Sequence, residues 1–471
     1  MKSNELLPTA ENLIKAFDGD LVGRNKSLYD FVTLLNSIEY DCSIALEGYW
    51  GSGKTFFVKQ TQMLLNALNP FTDLEDDERE RFINYPHAVQ DSSWGFCFDG
   101  LRNQVPIYYD AWINDNDSDP VLSLVLSILS EFESEFDFKD VQFNSDAPRQ
   151  LLNSLISIGG LGNIKLQIPQ ILKSENWLSE ISHNKNIHNE VKAFLDSLLA
   201  ERGDRLVIFI DELDRCSPTY AVKLLERIKH YFDNDRITFV FSINTEQLQY
   251  TIKKHYGEGF NASRYLDRFF NLRLSLPPVN MSRYYKSINY YASSDWSSLI
   301  NEAVIKTFRF ELREIARYLN TVKMAASKSI NKFNRGVSLD SDGGTIATVI
   351  FIPVLVALRI YDAKTYREFI NGNNPQPLLD VFNNCADAQS ILEWFLKKNE
   401  SFEPLSINDT EYSEVSVNEV LMRLYNLIIK EEYTPRYSRE LIGRVVIYRN
   451  TKEYLLKQIS LISNLIELEV D

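Results

Sequence analysis

The residues whose types and spacing most directly imply chemistry run from Gly48 to Thr55, GYWGSGKT, and fit the pattern G-x-x-x-x-G-K-[ST]. Gly48, Gly51 and Gly53 let the backbone pass close to a phosphate chain where side chains would obstruct it. The N–H groups of Trp50, Gly51, Ser52 and Gly53, and of the helix expected after them, supply the anion-binding field. Lys54 is expected on the β- and γ-phosphates and the Thr55 hydroxyl on Mg2+. The ligands implied are ATP, or a related nucleotide, and Mg2+.

A second group supports the first. Leu206-Val207-Ile208-Phe209-Ile210 reads as a buried strand and runs directly into Asp211-Glu212-Leu213-Asp214-Arg215. A carboxylate at the tip of a buried strand is what a Mg2+ site beside such a loop needs, and Asp211 is assigned that role, through water. Glu212 is placed to orient or deprotonate the attacking water. The plainer alternative is a strand end carrying solvated charges. Asn244 closes the next apolar run and is read either as a γ-phosphate contact or as a turn-forming residue. Arg268, with Arg264 as the next candidate, is read either as an arginine finger toward a neighbouring subunit's nucleotide or as half of a surface ion pair with Asp267 or another acid. Arg313 is read either as a reporter of nucleotide state or as part of an ordinary amphipathic helix with Leu312, Ile315, Ala316 and Leu319 inside.

The elements that must position these residues follow from hydrophobic patterning. Short apolar runs at 43–46, 105–109, 206–210, 237–243 and 272–276 alternate with helical patterns, which predicts an α/β fold: a parallel sheet with helices on both faces. Helices are expected at 56–68, 121–136, about 189–199 and from Ser217-Pro218, with Ser217 as N-cap. The acidic stretch from Thr72, TDLEDDERE, reads as a solvated loop. The expected organisation is an N-terminal helical segment over 1–20 and a nucleotide-binding core over 21–279 with an insertion at about 137–190. A helical lid and C-terminal region follows over 280–471, and its closing amphipathic helix either packs internally or docks a partner.

Composition narrows the class. With 44% hydrophobic residues the 471-residue chain builds a large core, and a net charge of −15 makes nucleic acid a poor default partner. Cys42, Cys97, Cys216 and Cys385 have no metal-ligand spacing, so reduced thiols are expected. His87, His183, His188, His230 and His255 form no catalytic pattern. The start of the chain shows no basic n-region followed by an apolar core. The apolar run 345–360, TIATVIFIPVLVALRI, falls short of the ~20 residues that span a bilayer and carries Pro353. It is expected as a buried, kinked helix, with a membrane-dipping element as the alternative.

Four local features together resemble the KAP family of P-loop NTPases, within the broader STAND and AAA-like ATPases. They are GYWGSGKT; Tyr109-Asp110-Ala111-Trp112 with the polar turn and helix after it; IDELDRC from Ile210; and 264–276 with Pro277 beyond. They span roughly two-thirds of the chain. Asp110 stands where the family usually has Asn, Glu212 where it has a second Asp, and Asn244 where an Asp is usual. Many members carry transmembrane helices between the two nucleotide motifs, but 151–172 is too polar and glycine-broken for that, so a soluble cytoplasmic protein is expected. The resemblance implies a regulated ATPase, a homo-oligomeric switch or motor whose protein partner carries the effector output, in a setting such as bacterial exclusion of phage. A nucleotide-binding scaffold without turnover and a nucleic-acid translocase are the competing readings, and charge disfavours the second.

Overall fold

The apolar runs assemble into one sheet because the central ones can bury both faces only between two layers of helices. In the computed structural model, residues 7–88, 96–117, 119–131, 185–231, 234–288, 290, 296–326, 342–388, 390–392, 416–432, 439–442 and 445–466 are described. The expected insertion at about 137–190 therefore lies almost entirely outside the described residues. The chain divides into two units, Leu6–Tyr284 and Tyr285–Asp471, the latter together with Met1–Glu5.

The first unit begins with helices α1 (Ala10–Asp18) and α2 (Asn25–Ser37) and strand β1 (Cys42–Glu47). Helices α3 (Lys54–Leu68) and α4 (Asp76–Ala88), strand β2 (Gln104–Asp110), and helices α5 (Pro120–Glu131) and α6 (Lys185–Arg202) follow. Strand β3 (Arg205–Asp211), a 3₁₀ turn (Leu213–Arg215), helix α7 (Pro218–Tyr231), strand β4 (Ile237–Ile243), helices α8 (Thr245–Tyr256) and α9 (Ala262–Leu266), and strand β5 (Leu272–Ser275) complete the sheet. The strand order is β2-β3-β4-β1-β5, and every neighbouring pair is parallel. β3 and β4 are buried along their whole length.

Alternation along the strands feeds two cores. Ile107, Ile208, Ile210, Phe239 and Phe241 face the layer of α5, α6, α7 and α8. Ile44, Leu46, Val207, Phe209 and Val240 face Phe17, Tyr29, Phe57 and Phe82, from α1 to α4. Phe209 is 0% exposed and stands two residues before Asp211. Phe209→Ala is expected to lower stability by about 3–5 kcal/mol, read as a fall in the denaturant midpoint.

The acidic stretch from Thr72 is not a loop throughout: from Asp76 it forms α4. Asp76, Asp77 and Glu78 occupy its first turn, where the helix dipole favours negative charge. Arg79 donates to the carbonyls of Ala67 and Asn69 at the end of α3, both at 2.8 Å, and so satisfies acceptors that a helix terminus leaves open.

The second unit contains α10 (Trp296–Phe308) and α11 (Leu312–Ala325). A continuous helical stretch follows, of α12 (Asp342–Ile346), a π-helical segment (Ala347–Phe351) and α13 (Ile352–Tyr361). Beyond it lie α14 (Ala363–Ile370), α15 (Gln376–Asn383), α16 (Val417–Ile428), strands β6 (Arg439–Ile442) and β7 (Val445–Tyr448), and α17 (Thr451–Ile466). The stretch Gly344–Tyr361 is long and apolar enough to cross a membrane by length and composition, and 67% of it is buried inside the protein. Where a kink is expected, the helix carries the π segment. Pro353 has no N–H and its ring crowds the carbonyl four residues back, so the helix widens there, with the Ile352 N–H bonded to the Ala347 carbonyl. The second unit is not helical throughout, since β6 and β7 form an antiparallel pair.

Candidate nucleotide-binding site

The phosphate loop, Asp211, Glu212 and Asn244 lie at, or directly after, the carboxyl ends of β1, β3 and β4. β1 ends at Glu47, the Gly48 N–H donates to the Ile243 carbonyl at the end of β4 (3.1 Å), and the loop then turns into α3. Gly51 and Gly53 have φ of 85° and 90°, a region costly to any residue with a Cβ. Gly48 is required for a different reason: a Cβ there would meet Ser52 Oγ at 2.8 Å and Lys54 Cγ at 3.1 Å. Gly48→Ala is therefore expected to weaken nucleotide binding about tenfold, or about 1.4 kcal/mol, measured by equilibrium titration with a fluorescent nucleotide.

Among the described hydrogen bonds, none uses the backbone N–H of Gly51, Gly53, Lys54 or Thr55. These donors, at a helix N-terminus, form an anion cradle. Lys54 is 8% exposed, and its ammonium donates to the carbonyls of Gly48 (2.8 Å) and Tyr49 (3.2 Å). Burial pushes its pKa down, and the charges of Asp214, then Asp211 and Glu212, oppose that. The Ser52 carbonyl accepts from Arg24, just before α2 (3.1 Å).

β3 delivers the carboxylates. Asp211 is 1% exposed, and its Oδ1 accepts from the Glu212 N–H (3.0 Å) while Oδ2 accepts from the Tyr108 hydroxyl (3.1 Å). Lys59 of α3 lies 4.5 Å from the centre of the Tyr108 ring. Glu212 has φ 61°, a left-handed conformation that costs a non-glycine residue about 1–3 kcal/mol and persists only where surroundings enforce it. Here the Arg215 N–H donates to the Glu212 carbonyl (3.0 Å), and the Arg215 guanidinium is ion-paired with the Glu212 carboxylate. Burial raises the Glu212 pKa to about 7, with the charge of Asp211 adding to the effect. Asp214 is buried too, and its Oδ2 accepts from the Trp50 indole N–H at 2.5 Å.

These residues fit a divalent cation bound with a nucleotide. Asp211, Glu212 and Asp214 bring three carboxylates against the cations Lys54 and Arg215, a local excess of negative charge. Among the described residues no three or more His, Cys, Asp or Glu side chains converge as a metal cage. Mg2+ is held by one or two protein oxygens together with substrate phosphates, so no such cage is needed.

The remaining candidates separate. Asn244 sits at the site's rim at the end of β4, 8% exposed, and its Oδ1 caps α8 by accepting from the Gln247 N–H (3.3 Å). Arg268 lies at the other end of the sheet. Asn271, three residues later, bonds Ser43 near the start of β1, and the Arg268 carbonyl accepts from Lys229 near the end of α7. A strand of this length separates that end from the loop by about 20 Å. Arg268 thus stands away from the loop of its own chain. The ion-pair alternative is not realised either: Asp267 pairs with Arg273 (2.7 Å), and neither Arg264 nor Arg268 has an ion pair among the described residues. Arg313 is exposed in the first turn of α11 in the second unit, with Ile315, Ala316 and Leu319 buried as the amphipathic pattern requires and Leu312 half-buried. Ser217 precedes α7, but its N–H and hydroxyl both donate to Asp115 of the polar turn after β2. Asp110 also has a structural account: its Oδ1 accepts from the N–H groups of Trp112 and Ile113, both at 3.0 Å, which an asparagine oxygen would do equally.

Comparison with known proteins agrees with this geometry. Curated proteins give no significant match in sequence. Among solved structures, the ORC2 protein of Aeropyrum pernix, in ADPNP and ADP complexes, aligns at 13% identity over 87% of this chain and 94% of that one, with a TM-score of 0.32. A likeness that low carries no argument about function. The model of the KAP family P-loop domain matches residues 25–329, well over half of the chain. With the cradle, the buried carboxylates and that match together, the chain belongs to the KAP family of P-loop NTPases.

Proposed function

We propose that this protein is a Mg2+-dependent ATPase that works as a homo-oligomeric switch or motor. The observation that carries hydrolysis, beyond binding, is the Glu212 carboxylate: it follows the buried Asp211 directly and is held on a left-handed backbone beside the phosphate cradle. Thr55 and Asp211 would hold Mg2+. When bound, Mg2+ neutralises charge on the phosphates. The cradle N–H groups and Lys54 orient the phosphate chain, and Glu212 orients the attacking water and takes its proton.

The position of Arg268 supports the oligomeric part of the reading, because an exposed guanidinium a strand's length from its own loop, without an ion pair among the described residues, can complete the site of a neighbouring copy. Arg264 is the alternative donor. In this reading Asn244 contacts the γ-phosphate side through its amide nitrogen, Arg313 reports nucleotide state to the second unit, and a separate protein partner carries the output. A cytoplasmic location and a role in excluding phage rest on the family resemblance alone.

The test is phosphate release from ATP as a function of protein concentration. The specific rate is expected to climb with concentration and to fall at least tenfold in Arg268→Ala, the loss of a charge worth about 1.4 kcal/mol or more. Mixing Arg268→Ala with Glu212→Gln should restore activity, since each copy supplies what the other lacks. A concentration-independent rate unchanged by Arg268→Ala would refute the shared site.

A further inference from the structure

The turn after β3 is tied to the phosphate-binding loop by contacts that binding and hydrolysis do not by themselves require. Trp50, within the loop, donates its indole N–H to Asp214 at 2.5 Å across 164 positions of sequence. The Arg215 guanidinium lies 5.9 Å from the Trp50 ring centre and 5.6 Å from that of Trp112, which follows β2. Its Nε reaches Glu212 Oε2 within a single 3₁₀ turn. Both indoles are half-exposed, at 47% and 53%, so these large rings are not placed here to fill a core. A planar guanidinium beside aromatic rings is held in orientation as well as position, which an ammonium on a flexible stem is not. Asp214 adds a second constraint. It is 5% exposed, one oxygen takes the Trp50 donor, and the other, also buried, has no hydrogen-bond partner among the described residues. A buried carboxylate oxygen without a partner is rare in native proteins and points to a role for the group.

We propose that Arg215 is a positioning residue for Glu212, and that Trp50 and Asp214 couple it to the phosphate-binding loop, so that the geometry of the loaded loop sets where the Glu212 carboxylate points. The chain of contacts is continuous: loop backbone, Trp50 indole, Asp214 and Arg215 in one turn, then Glu212. Trp112 braces the guanidinium from the turn after β2. Among the described interactions the ion pair engages Oε2, which leaves Oε1 to accept from water. Arg215 touches no reacting atom in this scheme. It acts through Glu212, and so its influence belongs to turnover and not to affinity.

This inference rests on the reading of Glu212 as the catalytic base, and the experiment separates the two. ATP hydrolysis and equilibrium binding of a fluorescent ATP analogue are measured for the full-length chain, for Trp50→Phe, which keeps a ring and removes the donor, and for Arg215→Lys, which keeps the charge and loses the planar face. The double variant and Glu212→Gln complete the set. The expected result is a fall in kcat of about tenfold in each single variant with Kd changed less than twofold, and a double variant no slower than the worse single one. An unchanged kcat in Trp50→Phe and Arg215→Lys overturns the proposal. Parallel loss of affinity and kcat overturns it as well, because that is the signature of a damaged loop. Glu212→Gln at the normal rate would instead remove the base assignment itself.

Discussion

Lys54→Ala is expected to weaken nucleotide binding by about 100-fold or more, the equivalent of about 3 kcal/mol, in an equilibrium titration. The size follows from where the ammonium sits. It is 8% exposed, held over the loop by the carbonyls of Gly48 and Tyr49, and surrounded by Asp214, Asp211 and Glu212. Removing it takes away the contact to the phosphates and leaves those carboxylates without their compensating charge. The incoming polyanion then meets a site of unrelieved negative sign. Fold stability should change far less than affinity, because Lys54 contributes little to either apolar core. The unfolding midpoint without nucleotide is the control.

The second large effect is on turnover. Glu212→Gln is expected to reduce kcat by about 100- to 10,000-fold, the span attributed to general acid–base catalysis, while nucleotide affinity stays within a few-fold. An amide has nearly the shape of the carboxylate, so the left-handed turn and its backbone hydrogen bond from Arg215 remain available. The basic oxygen does not. Losing the charge also relieves repulsion against Asp211, and the variant is therefore expected to bind nucleotide as well as, or slightly better than, the original chain.

How much of this was legible in the sequence depended on range. The phosphate loop is a contiguous pattern whose glycines and lysine act within a few residues of each other, and the structure places them between β1 and α3 as the pattern requires. The central strands were legible because a parallel sheet buried on both faces needs unbroken apolar runs, and LVIFI and ITFVFSI have no competing explanation. The contacts that complete the site are long-range and leave no local trace. Tyr108 reaches Asp211 over 103 positions and Trp50 reaches Asp214 over 164. Arg24 acts on the loop from outside any pattern. The available sign was the indole of Trp50 within a glycine-rich loop.

Two misreadings had local causes. α4 was hidden by its charge: acids clustered at a helix N-terminus look like a solvated loop until Phe82 and Arg79 are seen to anchor the segment. The β6–β7 pair escaped because four-residue strands are too short for their periodicity to be told from a helical turn. At Pro353, where a kink is expected, the structure has a π-helical widening of the helix.

The measurement that bears most directly on the central claim is phosphate release from ATP by the full-length protein, with Mg2+ and with the metal chelated, beside Glu212→Gln under the same conditions. The account predicts release that needs Mg2+ and is lost in Glu212→Gln while that variant still binds ATP. Release that continues at an equal rate in Glu212→Gln, or without Mg2+, would contradict it.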